Sequence, residues 1–185
     1  MTKKTSLIYL IGKPGTGKYT IAKELSKSNY IICDNQLINN PIFTLVNYDG
    51  YGDIPQSAWD AIAKMRDSLF DFIAKEKNNN YVLTNCLYET PGDLDLFKQV
   101  DEMSMHRGSL FIPVKLIIDE QEHLKRITNP VRTERLKSID PKDIYGETPL
   151  LTINHPNFLE LDVTNLSASD AAKEILTHLA NFMND

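Results

Sequence analysis

A five-stranded parallel β-sheet with helices on both faces, an α/β fold in three layers, is what this sequence predicts. Three observations carry the expectation. Strand-like and helix-like segments alternate from one end of the chain to the other. The strand-like runs are short, continuous and apolar, the pattern of strands buried on both faces. The 185 residues, 42% hydrophobic and 24% charged, suit one domain (1–185) with a single well-buried core.

Residues 7–11, Leu-Ile-Tyr-Leu-Ile, form the first such run, and a glycine follows directly. A helical pattern begins at Lys18 and places Ile21, Ala22 and Leu25 on one face. Residues 30–33 make the second strand, which ends at Asp34. Residues 35–55 carry Asn, Pro and Gly without a clear period and predict an irregular connection. From 56 to about 77 the helical spacing returns, with Trp59, Ile62, Ala63, Leu69, Phe70 and Ile73 as the apolar stripe. Residues 81–84 are the third strand. A helix over about 93–107 buries Leu96, Phe97, Val100 and Met103 and stops at Gly108, a residue suited to the left-handed turn beyond a helix. Residues 110–118 are the fourth strand, although Pro113 lies within them. Residues 120–128 are helical up to the position before Pro130. A polar, charged segment follows, then a fifth strand at 158–161. The last helix starts near Ser167, where Ser167 and Asp170 resemble a capping box with Asp in the Glu position. Its buried side is Ala171, Ile175, Leu179 and Phe182.

The bulk chemistry excludes several partners. A net charge of -5 argues against a general nucleic-acid binder, which needs a broad basic face. No apolar run approaches the ~20 residues of a membrane span, and the run after Ser6 is too brief for a secretory leader. Two cysteines, Cys33 and Cys86, fit a reducing cytoplasm without a disulfide framework. The four histidines lack ligand spacing, so no zinc site is expected. A monomer or homodimer is expected.

In a parallel sheet, ligands sit beyond the carboxyl ends of the strands. The segment after the first strand is the informative one: Gly12, Lys13, Pro14, Gly15, Thr16, Gly17, Lys18, Tyr19 and Thr20. Glycines at this spacing let successive backbone N–H groups turn inward around phosphate oxygens, and the following helix adds its positive end. The lysine reaches the outer phosphates, where charge moves during transfer. The segment is a P-loop, and it predicts binding of a nucleoside triphosphate, ATP. In the usual pattern a Ser or Thr next to the lysine holds Mg²⁺. Tyr19 stands there instead, and Thr20 comes one later.

This P-loop, with an Asp ending the second strand, resembles the nucleoside-monophosphate-kinase-like branch of P-loop NTPases. That branch includes adenylate, shikimate and gluconate kinases, chloramphenicol phosphotransferase and the zeta-toxin kinases. The resemblance implies a three-layer P-loop NTPase fold and transfer of the γ-phosphoryl group of ATP to a small-molecule acceptor. A nucleoside or nucleotide kinase and a catalytically weak, regulatory ATP-binding protein stay open. Adenylate kinases also carry Thr two places after the lysine. The Asp-Gly-Phe-Pro-Arg segment of adenylate kinases is absent, and residues 84–89 read Thr-Asn-Cys-Leu-Tyr-Glu instead. The paired aspartates and triple glycine of shikimate kinase are absent too.

The remaining candidates follow from position and from that resemblance. Asp34 ends the second strand; it would contact the acceptor hydroxyl as a base, contact Mg²⁺ with Thr20, or be merely an N-cap or loop carboxylate. Arg66 falls on the apolar stripe of its helix, where a guanidinium needs an anion. The resemblance makes that anion a substrate group, and a local salt bridge is the plainer option. Arg126 matches the arginine beside the adenine ring in these kinases. Arg132 and Arg135 lie in a lid-like segment at about 129–147, whose arginines close over the γ-phosphate. Asn85, at the end of the third strand, cannot replace the charged residue often found there.

Overall fold

The computed structural model describes residues 5–50 and 52–183; the opening residues, read above as no leader, lie partly outside them. Five strands form one sheet: β1 (Ser6–Ile11), β2 (Tyr30–Asp34), β3 (Asn80–Asn85), β4 (Leu110–Ile117) and β5 (Leu159–Asp162). Their order is β2-β3-β1-β4-β5, and every neighbouring pair is parallel. Among the described residues six α-helices connect and cover them: α1 (Lys18–Ser26), α2 (Asn35–Leu45), α3 (Gln56–Lys75), α4 (Pro91–Arg107), α5 (Glu120–Ile127) and α6 (Ala168–Ala180).

β1 occupies the middle of the sheet, and all six of its residues are buried. Its side chains alternate between two cores. Leu7, Tyr9 and Ile11 face the layer of α2, α3 and α4, whereas Ile8 and Leu10 face α1 and α6. Each fully buried aliphatic side chain contributes about 1.5–3 kcal/mol, so the strand that carries the phosphate loop is the most firmly held element. Pro113 fits because β5 joins β4 only from Val114 onward. The missing N–H therefore falls where β4 pairs with β1 alone. Gly108 ends α4 with φ 66, the left-handed conformation expected of it.

Two expectations are corrected. Residues 35–45 are not irregular but form α2, despite Asn35, Asn39, Asn40 and the internal Pro41. The Asp34 side chain caps this helix by accepting from the Leu37 N–H at 3.2 Å, and Ile38 and Phe43 anchor it in the core. Tertiary burial outweighs poor intrinsic propensity here. Trp59 is not part of the buried stripe of α3; it is 40% exposed and meets Phe43 edge-on, with ring centroids 5.7 Å apart. A smaller difference concerns α6. The Asp170 N–H donates to Ser167 Oγ, but the Ser167 hydroxyl in turn donates to the Asp170 carboxylate, so only half of a capping box forms.

Candidate functional site

Residues 12–20 leave the carboxyl end of β1 and enter α1. Gly15 and Gly17 have φ near +95°, a conformation costly for any other residue. Gly12 is required for space, since a Cβ there would stand 2.8 Å from Thr16 Oγ1. The loop is tied from inside: the Thr16 hydroxyl donates to the Lys13 carbonyl at 3.0 Å, and the Gly12 N–H donates to the Asn85 carbonyl at 3.2 Å. Lys18 is half-buried rather than solvent-facing. Its ammonium donates to the Gly12 and Lys13 carbonyls at 2.5 and 2.9 Å, inside the loop. Burial lowers it to about 8, and Arg132 nearby acts in the same direction. Thr20 is exposed at the start of α1.

His123 supports this loop from behind. It is buried on α5, and its Nε2 donates to the Pro14 carbonyl at 2.6 Å, which fixes the proton on that nitrogen. Burial holds its pKa below the ordinary value, so the ring is neutral around pH 7. Gly15 packs so closely on the imidazole that a Cβ would lie 3.1 Å from it. Sequence reasoning missed His123. Its spacing of four from the buried Ile127 was the available signal.

Asp34 is buried at the end of β2, and its two oxygens have different tasks. One caps α2, as above. The other accepts from Arg135 Nη2 at 2.8 Å. The capping alternative is therefore real, and it leaves one oxygen facing the cleft. Arg132 donates to the Ser138 carbonyl at 2.9 Å; burial holds it below its ordinary value, with Asp143 opposing. The Arg135 guanidinium lies over the Tyr19 ring at 3.5 Å, and the Lys137 ammonium lies over the same ring at 4.6 Å. Lys137 was not anticipated, although it stands two residues after Arg135. Arg126 forks between Glu122, at 2.8 Å, and the carbonyls of Val163 and Thr164, both at 3.1 Å. Its Nη1 is 3.8 Å from where a Cβ on Gly17 would stand, so it borders the phosphate loop.

Residues 14–20 of the loop, Asp34, Arg126, Arg132, Arg135 and Lys137 line one cleft of about 1260 Å³, with His123 behind the loop and outside it. Its far end is lined by Asn39, Phe43, Tyr48, Trp59, Arg66 and Asp93. There, Arg66 Nε and Asn39 Oδ1 are buried without a hydrogen-bond partner among the described residues. The hydroxyl of Tyr9, fully buried in the core and outside the lining, is also unpartnered among the described residues, and burial raises its pKa far above the usual phenol range. Unpartnered polar atoms of this kind cost about 1–3 kcal/mol each, and a ligand can recover that. Cys86 lines the cleft and Cys33 is buried in the core; burial raises both thiols, which disfavours the reactive thiolate. Asn85 donates its amide to Asn35 Oδ1 at 3.1 Å and carries no charge. Among the described residues, no group of three or more His, Cys, Asp or Glu gathers to hold a metal, and no helix is long and apolar enough to cross a membrane.

No protein-family model matches the chain, and no curated protein matches it in sequence. Solved structures do resemble it. A gluconokinase from Sinorhizobium meliloti has a TM-score of 0.62 at 14% identity, over 96% of this chain and 93% of that one. The APS kinase of Mycobacterium tuberculosis, in complex with AMPPNP and APS, gives 0.57 at 15% identity, over 96% and 98%. Thymidylate kinase from Candida albicans gives 0.57 at 15% identity, over 98% and 93%. At such identities the likeness is one of fold: this chain has the fold of the P-loop kinases.

Proposed function

We propose that the chain is an ATP-dependent phosphotransferase acting on a small-molecule acceptor. The observation that carries this is one cleft lined by the P-loop, by the cations Lys18, Arg132 and Arg135, and by the unpartnered polar groups of Asn39 and Arg66. Lys18, Arg132 and Arg135 surround the loop and supply the positive charge that a transferring phosphoryl group needs. Arg126, between Gly17 and the carbonyls after β5, would flank the nucleobase. Asp34 lies between the two ends. Its capped oxygen fixes the carboxylate, and its second oxygen is the candidate to take the acceptor's proton once Arg135 moves to phosphate. Arg66 would hold an anionic group of the acceptor.

Magnesium fits this donor set only as a partly hydrated ion. Thr20 and Asp34 are oxygen donors suited to a hard cation, and phosphates and water would complete the shell. When bound, the ion neutralises charge on the outer phosphates. Residues 129–147, with 3-10 turns at Pro130–Arg135 and Pro141–Asp143, would act as the lid over the triphosphate.

Thermal shift with Mg-ATP tests the first half of the proposal, and phosphate transfer across a panel of hydroxylated acids, sugars and nucleosides tests the second. Absence of ATP-dependent stabilisation at millimolar ligand would sink the reading. A second reading, a regulatory ATP-binding protein of weak activity, is favoured by the neutral Asn85 and by the Arg135 ion pair on Asp34. Stoichiometric ATP binding without turnover on any acceptor would select it.

A further inference from the structure

Tyr19 occupies the position next to the P-loop lysine, where a small hydroxyl residue is usual, and neither phosphate binding nor metal binding calls for an aromatic ring there. The fold supplies a use. Residues 130–137 run across the mouth of the P-loop, and two cations from this segment converge on the Tyr19 ring, Arg135 at 3.5 Å and Lys137 at 4.6 Å. The segment is anchored on its other side as well, because Gln36 Nε2 donates to the Leu136 carbonyl at 3.0 Å. Leu136 itself adopts φ 50, a left-handed turn between Arg135 and Lys137, both of which reach the Tyr19 ring. A face of aromatic charge attracts cations without neutralising them, unlike a carboxylate.

We propose that Lys137 is a further phosphate-binding residue, and that Tyr19 is the residue that positions it, together with Arg135, over the P-loop. The argument is one of charge and place. Lys18, Arg132, Arg135 and Lys137 line the same cleft, and the carboxylates lining that part of it are Asp34 and Asp143. Of these, Asp34 is already shared with Arg135 and with the cap of α2. The excess of positive charge over the loop suits a polyanion, and Lys137 is held against the ring with no carboxylate in ion-pair contact among the described residues, Asp34 acting on it only from further off. Burial lowers its pKa to about 8, with Arg135 pressing in the same direction and Asp34 opposing. The aromatic platform keeps both cations near the phosphate position while leaving their N–H groups free to leave the ring for oxygen. This inference rests on the reading of the cleft as a triphosphate site.

Two measurements on the full chain test it. In the first, amide exchange across residues 130–138 is followed without nucleotide. Tyr19→Leu should speed exchange there about tenfold, the scale expected from losing two cation–ring contacts, while Tyr19→Phe keeps the ring and should stay within twofold of the unmodified chain. Wild-type exchange in Tyr19→Leu overturns the positioning role. In the second, calorimetry compares adenylyl imidodiphosphate with AMP. Lys137→Met should weaken the triphosphate analogue about tenfold or more and leave AMP unchanged, because AMP lacks the outer phosphates. Equal weakening of both ligands, or of neither, overturns the phosphate role. If the unmodified chain binds no analogue at all, the triphosphate reading fails and the Lys137 role fails with it, whereas the exchange result still decides the role of Tyr19. Melting curves of each variant confirm folding, and Tyr19 and Lys137 are both only partly buried, so neither change opens the core.

Discussion

The two ends of the cleft solve opposite problems. At the P-loop end most groups are satisfied within the protein: Lys18 donates to the Gly12 and Lys13 carbonyls, Thr16 to the Lys13 carbonyl, His123 to Pro14, and Arg126 to Glu122 and two carbonyls, while Arg135 Nε is buried without a partner among the described residues. At the far end, Asn39 and Arg66 line the cleft and each bury a polar atom without a partner among the described residues, as does Tyr9 in the core. The first end is preorganised for a ligand whose shape is fixed in advance. The second retains hydrogen-bonding capacity that only a ligand can use, and it sits at some cost to stability. Polar satisfaction, read atom by atom, thus marks Arg66 and Asn39 at one end and Arg135 at the other as groups left for a ligand.

The most severe break of that contrast is at Lys18. Lys18→Ala removes the charge at the preorganised end and should lower nucleotide turnover by ~10²-fold or more, with the fold retained by circular dichroism. A variant with normal turnover would remove Lys18 from the chemistry.

Asp34 stands at the border. Asp34→Asn keeps a residue able to cap α2 and should leave ATP affinity within a few-fold, while acceptor phosphorylation falls by ~10²-fold. If Mg-ATP weakens much more than Mg-free ATP, Asp34 belongs to the metal site and not to the acceptor. Full activity would leave it a cap alone.

A pair of arginines sharpens the comparison. Arg107 is buried, and its guanidinium donates to the carbonyls of Ile73, Glu76 and Asn79, which closes the end of α3. Arg107→Met should therefore cost about 2–3 kcal/mol in denaturant unfolding, because carbonyls lose their donors. Arg66→Met removes a buried N–H that lacks a protein acceptor, so stability should hold or rise while acceptor binding is lost. Equal destabilisation by both variants would show that Arg66 is structural too.

The smallest expected effect is a pH dependence behind the P-loop. A histidine held below its ordinary 6.5 binds fewer protons folded than unfolded. Its contribution is thus complete above about pH 6.5 and lost as the pH falls through the folded value. His155 is shifted in the same direction, also by burial, so the two share the slope. His123→Gln should flatten stability between pH 6.5 and 5 and cost about 1 kcal/mol at neutral pH. An unchanged slope would assign the whole effect to His155.

The sequence by itself determined the alternating architecture, all five strands and the phosphate loop. Each is written in contiguous residues with a period or a turn requirement: β1 as an unbroken apolar run, Gly15 and Gly17 as the positions of positive φ, Gly108 as the end of α4. The P-loop is legible for the same reason, since a loop that wraps phosphate with its own backbone needs its glycines next to one another. What only the tertiary structure decided is everything assembled across distance. α2 was hidden because its cap, its two buried anchors and its proline make no period. The role of Tyr19 depends on cations more than a hundred residues away, His123 on a carbonyl of the facing loop, and the unpartnered Arg66 on which acceptors fail to reach it. Burial and hydrogen-bond satisfaction are properties of neighbours in space, and in this chain the candidate acceptor end is made of such neighbours.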